Sequence, residues 1–142
     1  MSNSILALFG VASAAVTIGG FIPYVISIVK HTTKPERASW WIWSFLMTVT
    51  LIVQIEQGST WSLFLTATYL VANVIIAGLS VKYGYGKLEL KDKLSIAAAL
   101  LGVLLWHFAD SPTGALLVFI SIDLIGNILT YQKTWKSPKS EN

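Results

Sequence analysis

Polar and apolar residues do not alternate along this chain; they separate into long blocks. From Ile5 to Val29 almost every residue is Ala, Val, Ile, Leu, Phe or Gly, and further apolar blocks cover residues 40–55, 61–81, 94–108 and 113–131. Each is about 15 to 25 residues long, the length a helix needs to cross roughly 30 Å of hydrocarbon. The pattern predicts an all-α, polytopic membrane protein of about five transmembrane helices. The fourth block would be about 22 Å long at helical rise, short enough to need a thinned bilayer or Trp106 and His107 at the interface. The first lacks the positive leader of a secretory signal and exceeds a typical signal core, so it is read as a retained span. Short polar segments punctuate the blocks. Ser39 is the expected N-cap of the second span, and Ser111-Pro112 the cap and first residue of the fifth. Trp40-Trp41-Ile42-Trp43 is read as an interfacial aromatic belt.

Composition sharpens this picture. Only 12% of the 142 residues are charged and 54% are hydrophobic, against roughly 25% charged in a soluble domain, so residues 1–142 form a single membrane domain. The net charge of +3 does not point to nucleic acid, because of where the basic residues fall. Lys30, Lys34 and Arg37 follow span one; Lys82, Lys87, Lys91 and Lys93 follow span three; Lys133, Lys136 and Lys139 follow span five. The alternate connections hold no Lys or Arg. By the positive-inside rule the N-terminus is outside and the C-terminus cytoplasmic.

Enzyme chemistry finds little to work with. The chain has no cysteine, which removes disulfides, thiolate nucleophiles and zinc–cysteine sites. No phosphate-binding loop, dinucleotide glycine pattern or paired-histidine zinc motif occurs. His107 and Asp110 do not make a metal site alone. Neither an enzyme nor a cofactor is expected.

Asp123 is the sharpest polar signal, because it lies near the middle of span five, where a carboxylate costs roughly 2.5–3.5 kcal/mol on insertion scales. Asn127 and Thr130 follow at i+4 and i+7 on the same helical face. Two readings stay open: a titrating or solute-binding group, or a structural hydrogen bond. Thr66, Tyr69 and Asn73 form a second polar stripe in span three, either lining a pathway or holding helices together. Span one presents Ser13, Thr17, Gly20 and Tyr24 on one face, and Pro23 removes a backbone hydrogen bond, a candidate hinge. Ser44 and Thr48 on span two are read as ordinary packing.

Sliding the chain against itself by 103 residues places Lys30 on Lys133, Pro35 on Pro138 and Ser27 on Thr130. Spans one and five then end alike and cross in the same direction, as in a parallel repeat. Phe21-Ile22-Pro23-Tyr24, Lys30 and Thr33-Lys34-Pro35-Glu36-Arg37-Ala38-Ser39-Trp40-Trp41-Ile42-Trp43 resemble the first-repeat signature of bacterial membrane proteins of the PQ-loop and SWEET group. Asp123 and the Lys133 to Glu141 segment resemble the second-repeat counterpart, with Tyr24 standing where the name-giving Gln would be.

The resemblance implies one three-helix repeat, a linker helix and the first helix of an incomplete second repeat, in a bacterial inner membrane. It implies a substrate pocket with Asn73 on the third helix and Pro23 as a rocking point. The expected function is alternating-access movement of a small polar solute, either passive or proton-linked, with Asn73, Asp123, Asn127, Tyr69 and Thr66 as lining residues. A homodimer or hetero-oligomer would complete the pathway. The competing expectation is a non-transporting accessory or assembly subunit of a membrane complex.

Overall fold

The computed structural model describes residues 3–87, 90–108 and 112–140. Five α-helices follow in order: α1 (Asn3–Val29), α2 (Arg37–Glu56), α3 (Ser62–Tyr83), α4 (Leu90–His107) and α5 (Pro112–Lys136), then a 3₁₀ turn at Pro138–Ser140. No strand occurs among the described residues. The helices coincide with the five apolar blocks. By length and composition α1, α2 and α3 are able to cross a membrane.

Helix ends show why the blocks stop where they do. After Val29, the N–H of His31 donates to the Ile28 carbonyl and that of Thr32 to Ser27 (both 3.0 Å), with His31 at φ +62°. This is a Schellman ending with a non-glycine residue in the left-handed position. α2 ends the same way: Gly58 donates to Ile55 and Ser59 to Gln54, with Gly58 at φ +71°.

The start of α2 corrects one expectation. The cap is Glu36, not Ser39: its carboxylate accepts from the Ser39 backbone N–H at 2.7 Å. A carboxylate satisfies an orphan donor and complements the positive end of the helix dipole, so the helix begins earlier. α4 likewise starts four residues before the expected Leu94, in a charged turn containing Asp92. α5 runs past Tyr131 to Lys136, with Lys133 and Lys136 in its last turn, where cations favour the C-terminal dipole. The side chains of Trp106 and His107, and the expected cap Ser111, lie outside the described residues.

α2 is the hub. It packs on α3 along one side and on α5 and α4 along another, while α1 packs on α3 and α4 on α5. The core between α2, α4 and α5 contains Ala38, Ile42, Leu46, Ala99, Ile122 and Leu129. Close approach depends on glycine at defined points. A Cβ on Gly10 would stand 2.5 Å from the Trp61 carbonyl oxygen, and one on Gly126 would stand 2.8 Å from the Trp43 Nε1. α1 is peripheral: Leu8, Phe9 and Val16 are 64–76% exposed. Such an apolar surface suits lipid contact.

The segment after α1, the segment after α3 and the tail after α5 meet at one end of the bundle. The Lys34 N–H donates to the Ser140 carbonyl, and Tyr85 N–H to that of Pro35 (both 2.9 Å). The Tyr85 hydroxyl pairs with that of Ser137 at 2.8 Å. The three basic segments therefore form one basic end.

Candidate functional site: the aromatic row from α1 to α5

At the basic end of α2 an aromatic row crosses the bundle. Tyr24 and Phe21 of α1 lie against Trp40, at ring-centroid distances of 5.4 and 6.3 Å, and Trp40 meets Trp43 edge-on at 5.2 Å. The Trp43 indole then reaches Gly126 of α5. Of the three tryptophans expected to form an interfacial belt, only Trp41 is largely exposed, at 47%. Trp40 and Trp43 are partly buried instead, because edge-on and tilted ring contacts and the space over Gly126 reward that orientation.

Among the described residues α1 and α5 do not pack together. Phe21, Tyr24, Trp40, Trp43, Asn127 and Thr130 are all partly exposed. The row thus runs across α2 from α1 to α5, and the partly exposed surface over it is the candidate site.

The α5 side is anchored by hydroxyls. Ser39 Oγ donates to the Gly126 carbonyl at 2.6 Å and accepts from Thr130 Oγ1 at 2.9 Å. Thr130 lies at i+7 from Asp123, so Asp123 stands two turns farther along the same flank of the helix. Asp123 is exposed, and Asn127 is half-buried beside it. The Asn127 Nδ2 donates both to the Asp123 carbonyl (2.9 Å) and to its carboxylate Oδ2 (3.0 Å). The amide orients one carboxylate oxygen; the arrangement can accept hydrogen bonds from a hydroxyl-bearing solute or hold a proton.

The other expected lining residues are placed elsewhere. Asn73 is buried, 5% exposed, on α3, which among the described residues does not pack on α5. Asn73 and Asp123 are therefore on helices separated by α2. The Thr66 hydroxyl donates to Gln54 Oε1 at 2.8 Å, tying α3 to α2. Tyr69, 40% exposed, packs edge-on against Phe21 at 5.5 Å. Pro23 sits inside a continuous α1. The Ser13, Thr17, Ser44 and Thr48 hydroxyls all donate to carbonyls of their own helices.

Several structural residues escaped the sequence reading. Arg37 donates from Nε to the Ser80 carbonyl (2.7 Å), from Nη2 to that of Gly84 (3.2 Å) and from Nη1 to that of Gly86. It holds carbonyls in the last turn of α3 and just beyond it. Glu36, Asp92 and Lys133 are each less than 10% exposed and line a common recess with Lys87 and Lys136. Their clustering needed the register of α4 against α5; the available signal was that each charge lies just outside an apolar block.

Comparison with family models, with curated proteins and with solved structures found no match.

Proposed function

We propose that the chain is a transporter-type membrane subunit, with the surface over the aromatic row holding a small polar solute during alternating access. The supporting observation is the position of Asp123. It is eleven residues into the 25-residue α5 and exposed, among the outward apolar residues Leu117, Ile120, Leu124 and Ile128. With α5 as a span, lipid contact there would be costly; water or a second protein surface removes that cost. A hydrated site with an aromatic row and a carboxylate–amide pair suits a small polar solute, and the carboxylate suits proton linkage. The resemblance to the PQ-loop and SWEET group agrees with this reading, as does a second copy or partner chain completing the pathway. In this reading α4 and α5 also span the membrane, the basic end is cytoplasmic and Pro23 lets α1 rock.

The test is Asp123→Asn, which keeps the shape and the bond to Asn127 while removing the titratable charge. Solute uptake by reconstituted protein should fall at least ten-fold, with expression and melting nearly unchanged. Intact uptake in Asp123→Asn, together with failed assembly in Asp123→Leu, would defeat transport through this residue and favour an accessory subunit.

A further inference from the structure

The α1–α3 pair carries two features. An apolar groove lies between the helices, lined on α1 by Ile18, Phe21, Ile22, Val25 and Ile26 and on α3 by residues including Ala67, Val71 and Ile75. At the basic end of the same two helices is a polar hollow lined by His31, Lys34, Lys82 and the Tyr83–Gly86 segment. We propose that groove and hollow together form a binding site for one anionic glycerophospholipid, its acyl chain in the groove and its phosphate among His31, Lys34 and Lys82.

Helical register joins the two features. Lys82 lies seven residues beyond Ile75 and eleven beyond Val71, within about 20° of both around α3. The α3 stripe that lines the groove therefore leads straight to the Lys82 ammonium. On α1, the stripe Ile18, Ile22, Ile26 continues one further turn to the exposed Lys30, next to His31. At 1.5 Å per residue, Ile75 and Lys82 are about 10 Å apart along the axis, a span suited to a phosphate and the first part of an acyl chain.

The hollow's chemistry is one-sided. It offers two ammonium groups and an imidazole, and among the described residues no Asp or Glu lines it. The positions of its parts are set from within. The Tyr83 ring receives the His31 ring edge-on at 5.0 Å and carries Lys82 Nζ 5.0 Å above its centroid. The Lys34 backbone is tied to Ser140, and Tyr85 to Pro35. Basic pockets at helix ends, next to an apolar surface, are where anionic headgroups bind. The proposal requires only that α1 and α3 lie in a bilayer, so it survives failure of the transport reading.

The experiment measures lipid binding to the purified full chain in mild detergent by native mass spectrometry, which scores only folded particles. Phosphatidylglycerol and phosphatidylcholine with identical acyl chains are compared, with glycerol phosphate as the soluble arm. Phosphatidylglycerol should bind at least ten-fold more tightly than phosphatidylcholine. Lys34→Ala and Lys82→Ala should each weaken it about five-fold, and Lys34→Arg should restore most of the loss. Val71→Trp, which fills the groove, should weaken both lipids. Lys139→Ala, in the tail, should change neither. Equal affinity for the two lipids would overturn the proposal, as would glycerol phosphate binding as well as phosphatidylglycerol or an equal loss in Lys139→Ala.

Discussion

Side chains at the two Schellman turns show how much one residue decides here. Gly58 and His31 hold the same left-handed backbone, at φ +71° and +62°, yet only Gly does so without a steric penalty. No atom lies within 4 Å of a Cβ placed on Gly58, so substitution there isolates the backbone cost from any clash. Gly58→Val should cost about 1–2 kcal/mol, read as a lower midpoint in denaturant unfolding, with no change in particle size. Arg37 acts through geometry as much as charge. Its planar fork reaches three carbonyls, which the single ammonium of lysine cannot do. Arg37→Lys should therefore destabilise by about 1–3 kcal/mol, and faster proteolysis after α3 should accompany it.

Between elements, the α2–α5 contact carries the site. Gly126 admits the Trp43 indole, and Ser39 binds the Gly126 carbonyl and the Thr130 hydroxyl. Small residues and short hydroxyl bonds are the means by which helices associate when lipid competes for apolar contact. Gly126→Leu should push α5 away from α2 and turn Trp43 out of the aromatic row. The expected readouts are a shifted Trp fluorescence spectrum and a lower melting temperature. Ser39→Ala should be milder, about 0.6–1.7 kcal/mol, with the fluorescence preserved. The helices themselves were legible because an apolar block of spanning length has few alternatives to a helix. Ser39 was misread because a serine before a tryptophan-rich block fits a cap locally. Glu36 wins because it meets the Ser39 N–H and the helix dipole together.

For the whole molecule, the ten basic residues lie on segments that converge at one end of the bundle. A cytoplasmic basic end predicts that single cysteines at Ser59 and Lys139 label from opposite faces of the membrane, outside and inside respectively. Labelling of both from one face would refute the proposed orientation.

Block length, charge placement and a carboxylate near the middle of the fifth apolar block come from the sequence alone, because each depends only on order along the chain. Helix number, helix limits to within a few residues, and one basic end follow from these. The rotation of each helix does not. α1, α2 and α3 are apolar around much of their circumference, so periodicity leaves the packed face weakly marked. Only the tertiary structure packed Trp40 and Trp43 into the aromatic row and buried Asn73. It also put α2 between Asn73 and Asp123, and left Asp123 and Asn127 together on an open flank. The seating of α5 and Trp43 rests on close approach at Gly126 and on hydroxyl bonds between helices, interactions of residues 87 and 91 positions apart that local sequence patterns cannot encode.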